Sequence, residues 1–149
     1  MEAVGPQLAP HRLIGIDTAV FIYLFEDSPA YAHIARSVLL QVQSGTTRAM
    51  TSTVTLMEIT VKPLQQGNVE VADTYVLLVS RFPNLTVAPI DATTARLAAS
   101  FRAKYNLRPA DALQMGACQQ AGTSAFVTND KTLRRVNEME IIILDDFRY

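Results

Sequence analysis

The sequence predicts an α/β domain in three layers, α/β/α, built on a parallel sheet of about five short strands. Short apolar runs recur along the chain, within RLIGID, RAMTS, LTVAPI, SAFVT and EIIIL. A strand takes that form when both faces of its sheet are covered. Segments with helical spacing lie between the runs. Glycines stand where several of those helices should stop, at Gly45, Gly67 and Gly122.

Taken in order, residues 12–17 form the first strand and Thr18 to about Phe25 a short helix. The EDSP turn follows, with Pro29 suited to a helix's first turn. A helix then runs from Tyr31 to Ser44. RAMTS (48–52) is the second strand, and the next helix spans about Thr53 to Gln66, with Pro63 set to kink its last turn. Residues 69–81 read as helical despite their β-branched content. LTVAPI (85–90) is the third strand. Asp91 caps a long helix to Tyr105, with Leu97, Phe101 and Tyr105 four apart on one face. Pro109 opens a further helix to about Gln120. SAFVT (124–128) is the fourth strand, Lys131–Val136 a short helix, and EIIIL (140–144) the fifth strand. Residues 1–11, MEAVGPQLAPH, are rich in helix-disfavouring residues and predict a flexible N-terminal arm, leaving 12–149 as a single domain.

Composition excludes several classes. The chain's 149 residues suffice for one core, and no apolar run approaches the roughly 20 residues of a membrane helix. The N-terminus lacks a basic segment followed by an apolar one, so no signal peptide is expected. Cys118 is the single cysteine, which bars an internal disulfide and suggests a small core residue in a reducing cytoplasm. Two histidines, His11 and His33, are too few for a zinc site of the Cys/His kind. Net charge is −1, yet residues 92–137 hold seven bases and two acids, a local +5 against −6 elsewhere. Such an asymmetry suggests a basic face, or an ordinary solvated helix surface.

In an open parallel sheet, ligands bind beyond the carboxyl ends of the strands. Asp17 ends the first strand and Asp130 follows the fourth. Glu58 lies in the helix after the second, and Asp111 in the first turn of the helix that precedes the fourth. Each has a structural reading: Asp17 and Asp130 as helix caps, and Asp111 as an acid at a helix's positive end. Glu58 is harder to explain so, because Val54, Met57 and Val61 surround it at helical spacing and an unpaired carboxylate among apolar neighbours is costly. Four converging carboxylates repel one another, and a hard divalent cation, Mg²⁺ or Mn²⁺, would relieve them. Such an ion promotes phosphodiester cleavage without a histidine base.

At this point IDTAVFIYLFE, TSTVTLMEI, LRPADALQMGA and FVTNDKTL, in that order, resemble the four motifs of the PIN-domain ribonucleases, and among them the VapC-type toxins of toxin–antitoxin pairs. The resemblance spans roughly Leu13 to Leu144. It implies a PIN-like sheet ordered 3-2-1-4-5 and a Mg²⁺- or Mn²⁺-dependent endoribonuclease. The family's metal-binding and catalytic acids fall on Asp17, Glu58, Asp111 and Asp130. Thr128 and Asn129, with Thr18, would orient ligands or waters through hydrogen bonds. Arg108, Lys131 and Arg134 flank the acids and would meet RNA phosphates. The resemblance also implies a cognate antitoxin and a homodimer; the apolar content of residues 69–81 suggests a surface for one of those partners.

Competing readings weaken against the residues. A phosphoacceptor domain wants an acidic pair after the first strand, where Asp17 is followed by Thr18. A dehalogenase-type phosphatase wants a second Asp at the position of Ala19. A degenerate PIN-like module that only binds a partner would be favoured by loss of one of the four acids, and all four are present.

Overall fold

In the computed structural model, which describes residues 3–148, β1 (Leu13–Ile16), β2 (Arg48–Ser52), β3 (Leu85–Ala88), β4 (Ala125–Thr128) and β5 (Glu140–Ile143) form one sheet. Every pairing is parallel and the order is β3-β2-β1-β4-β5. The helices are α1 (Val4–Leu8), α2 (Thr18–Phe25), α3 (Ala32–Gln43), α4 (Thr53–Gln65), α5 (Val69–Ser80), α6 (Ala92–Tyr105) and α7 (Pro109–Ala121). Two 3-10 turns, Lys131–Arg135 and Leu144–Phe147, follow β4 and β5.

The strand alternation sorts the core into two layers. Ile14, Ile16, Ala125 and Val127 pack on the side of α1, α2 and α3. Phe126 and Met50 face the other side, against Phe101 of α6 and Met115 of α7. Gly15 lies between Ile14 and Ile16 and lets α7 approach, since a Cβ there would sit 2.3 Å from Cys118 Sγ and 2.8 Å from the Phe126 ring. Gly116 does the same between helices: a Cβ would stand 2.8 Å from the Thr94 carbonyl oxygen of α6. Cys118 is buried in this layer, and burial pushes its thiol up to about 12, which leaves it a packing residue. Among the described residues no helix is long and apolar enough to cross a membrane.

Several boundaries differ from the sequence expectation. The third strand ends at Ala88, short of Ile90, because Pro89 has no N–H for the ladder. The expected helix at 131–136 is a 3-10 turn, and the last strand yields to a second such turn at Leu144. α4 carries Pro63 within its last turn and continues to Gln65. The larger correction concerns the N-terminus. Residues 1 and 2 of the expected arm, and Tyr149 of the expected domain, lie outside the described residues, but Val4–Leu8 form a helix with Val4 and Leu8 buried against α3. His11 extends this attachment, contacting Ser124 Oγ at 2.7 Å and Glu140. Two apolar side chains one helical turn apart outweigh the weak local helix propensity of the segment.

Candidate active site

A parallel sheet releases the chain from every strand at one edge, and at that edge β1 runs straight into Asp17. The Asp17 N–H still donates to the Val127 carbonyl at 2.9 Å, so the residue is fixed to β4 as it turns into α2. Its Oδ1 accepts from the Thr18 N–H at 2.8 Å and its Oδ2 from the Thr128 hydroxyl at 2.7 Å. Burial pushes the Asp17 carboxyl up to about 6, against those two hydrogen bonds, with the negative charges of Asp111 and Glu58 adding to the rise.

The other three acids reach the same cleft. Glu58 projects from α4, and its Oε1 accepts from the Thr18 hydroxyl at 2.8 Å. The sequence placed it among apolar neighbours, but only Val54 of the three is buried; Met57 and Val61 are exposed, and Glu58 itself is half-buried. Its cost of burial is therefore smaller than the pattern suggests. Asp111, in the first turn of α7, accepts from Arg108 Nε at 3.0 Å. Asp130 caps the first 3-10 turn through Thr132 and lies 3.9 Å from Arg108 Nη2. Arg108 thus spans two of the carboxylates with a side chain that is itself largely exposed. A cleft of about 410 Å³ is lined by all four acids together with Thr18, Ile22, Tyr23, Arg108 and Asn129.

The flanking residues divide. Thr128 joins two acids: its hydroxyl donates to Asp17 and accepts the Asp130 N–H at 3.1 Å. Among the described residues Asn129 makes no hydrogen bond to a carboxylate. Its amide donates to the Tyr23 hydroxyl at 3.0 Å and its carbonyl accepts the Asp145 N–H at 2.9 Å, tying the β4 exit to the C-terminal turn. Lys131 and Arg134, the bases expected near the site, pair instead with Asp145 and Asp146, both at 2.7 Å, and neither lines the cleft.

Behind Glu58 stands a buried polar cluster, of which the sequence singled out Thr18 alone. Thr18 Oγ lies 2.9 Å from Thr55 Oγ, which lies 2.8 Å from Thr51 Oγ. Gln114 of α7 donates to Thr55 at 2.8 Å and accepts from Ser52 at 2.6 Å. The hydroxyl-rich run TSTVT at 51–55 was the available signal; Gln114 carried none.

The donors at the cleft are oxygens, a set that suits hard cations. Among the described residues no group of three or more His, Cys, Asp or Glu side chains is placed to hold a metal ion. A strongly hydrated ion such as Mg²⁺ needs only one or two carboxylates besides its waters and substrate oxygens. A half-buried carboxylate with two negative neighbours fits such an ion by charge.

A family model described as the PIN domain matches residues 14–139. Among solved structures, DNA-bound VapBC from Salmonella typhimurium is 23% identical, with a TM-score of 0.68, over 88% of this chain and 97% of that one. VapBC2 from Rickettsia felis, bound to a DNA fragment from its promoter, is 13% identical with a TM-score of 0.69, over 87% and 96% of the two chains. Mycobacterium tuberculosis VapC20, a Sarcin-Ricin loop cleaving toxin, is 15% identical with a TM-score of 0.64, over 85% and 98%. At these identities the likeness is one of fold. No curated protein matches the chain significantly.

Proposed function

The chain belongs to the PIN-domain family, and from that premise we propose that it is an endoribonuclease dependent on Mg²⁺ or Mn²⁺, acting as the toxin of a VapBC-type pair. The observation that carries the nuclease reading is the convergence of Asp17, Glu58, Asp111 and Asp130 on one cleft, where burial, with a smaller contribution from two of the other acids, pushes the Asp17 carboxyl up to about 6. In this reading one or two of those carboxylates would hold the cation directly and the others would act through its waters. When bound, the ion supplies positive charge that polarises water and the phosphate for hydrolysis of a P–O bond.

The chain's own groups have defined tasks. Thr128 fixes Asp17 and the Asp130 backbone together, and Thr18 aims one hydroxyl at Glu58. Asn129 and Tyr23 hold the loop that carries Asp130. Arg108 balances Asp111 and Asp130 and is the base that lines the cleft, where an RNA phosphate would meet it. Lys131 and Arg134 sit in exposed ion pairs of little net worth, so both remain available to a phosphate backbone further from the cleft.

The toxin reading rests on the fold shared with VapBC proteins and on an apolar surface. Met57, Val61 and Leu64 are exposed along one face of α4, and Leu77 and Leu78 on α5. Exposed apolar side chains of this kind suit a protein partner, an antitoxin or a second copy of this chain. A cytoplasmic location follows from an RNA substrate and agrees with the free Cys118.

Calorimetric titration of Mn²⁺ into the native protein and into Asp17→Asn tests the site without knowledge of the RNA. Tight binding by the native chain and much weaker binding by the variant are expected. Equal binding by both would remove Asp17 from the cation site.

A further inference from the structure

Gln114 is 2% exposed, in the middle of a helix whose neighbouring positions are apolar. A buried amide is costly unless each of its atoms is matched, and an apolar side chain of the same size would fill the space more cheaply. Here the matching is directional. Ser52 Oγ donates to Gln114 Oε1 at 2.6 Å, which turns the amide so that Nε2 faces the threonines. Nε2 donates to Thr55 Oγ at 2.8 Å and lies 3.5 Å from Thr18 Oγ.

Counting protons shows what this orientation does. Thr51 spends its single hydroxyl proton on the Ile16 carbonyl at 2.9 Å. Thr55 then has its proton for Thr51 or Thr18. An ionised Glu58 only accepts, so the 2.8 Å bond from Thr18 requires the Thr18 proton. The Gln114 amide fills one of the two acceptor sites of Thr55 and points toward Thr18 with its other N–H. Without it, both lone pairs of Thr55 would be open 2.9 Å from Thr18, and the competition of Thr55 with Glu58 for that proton would strengthen.

We propose that Gln114 is a positioning residue for Glu58, acting through Thr18, with Ser52 setting the orientation of its amide. The proposal rests on the reading of the cleft as a divalent-cation site. It adds that the affinity of that site is set partly from α7, on the far side of a relay that crosses from β2 to α2.

The test is a set of Mn²⁺ titrations, by calorimetry, on the native chain, Gln114→Met, Thr18→Val and the double variant, with circular dichroism to check folding. Thr18→Val should weaken Mn²⁺ binding by about tenfold, the scale of lost partners to metal ligands. Gln114→Met should weaken it several-fold, by no more than about that factor, and should add nothing in the Thr18→Val background. A merely structural clamp would weaken both backgrounds equally. That equal loss, or no loss in a folded Gln114→Met, overturns the proposal while leaving the cation site in place. If Gln114→Met does not fold, Ser52→Ala replaces it; it frees the amide and also removes the cap on the Val54 N–H of α4, a loss shared by both backgrounds, so the dependence on Thr18 remains the readout. Failure of the native chain to bind Mn²⁺ would remove the cation site itself, and this inference with it.

Discussion

Replacing Asp17 with Asn should stabilise the protein while disabling it. Folding raises the Asp17 carboxyl from 3.8 to about 6, so the native state disfavours the charged form more than the unfolded state does. Below the unfolded value both states are protonated and nothing is lost. As pH rises from about 4 to about 6, stability falls by about 1.4 kcal/mol per unit, and above the folded value the loss is complete at roughly 3 kcal/mol. Asn escapes this loss because it does not ionise. Its carbonyl can accept the Thr18 N–H, while its amide must donate to Thr128 Oγ, which now gives up its own bond to Oδ2. That exchange costs about 1 kcal/mol at every pH. The expected net effect is a gain of about 2 kcal/mol near pH 8 and a loss of roughly 0.5 kcal/mol near pH 4. Urea unfolding of both proteins in a chelator, across that range, measures it. An Asp17→Asn variant less stable near pH 8, or a difference that does not change with pH, would show that burial of a charge is not what this residue contributes. Saturating Mn²⁺ should reverse the order, adding about 2.7 kcal/mol to the native chain at a hundredfold excess over Kd and little to the variant.

Three further outcomes follow from other parts of the molecule. Arg108→Gln removes the guanidinium that spans Asp111 and Asp130, so Mn²⁺ should bind a few-fold more tightly while RNA retention weakens and its salt slope falls by about 1; unchanged RNA retention would exclude Arg108 from the phosphate path. Gly15→Ala places a methyl group against Cys118 Sγ and the Phe126 ring, and thermal unfolding should register a loss of about 1–3 kcal/mol. Leu8→Ala empties a fully buried position, and a loss of about 2–5 kcal/mol is expected; a loss within error would restore the N-terminal segment to the status of a loose arm.

The legible parts of this chain were those where one strong local signal met a topological rule. Alternating short apolar runs and helices imply a parallel sheet, and a parallel sheet puts Asp17, Glu58, Asp111 and Asp130 at one edge whatever the side chains do. Local propensity misled where tertiary burial decided the outcome. The prolines and glycine near the N-terminus argue for a loose segment, yet Val4 and Leu8 bury against α3 and carry it. Conversely, Met57 and Val61 are apolar but stay exposed, so the apolar setting inferred for Glu58 is only half present. Charge on its own did not show how Lys131 and Arg134 are paired, because nothing in sequence spacing reveals that Asp145 and Asp146 return beside them at the end of the chain. Gln114 marks the deeper limit. Its effect depends on which way an amide faces, and that is set by Ser52, sixty-two positions away. A composition or periodicity signal cannot encode a donor's direction. Buried polar groups of this kind become visible only when the fold has brought their partners within reach, and for that reason the determinants of a site's affinity are less legible than the site itself.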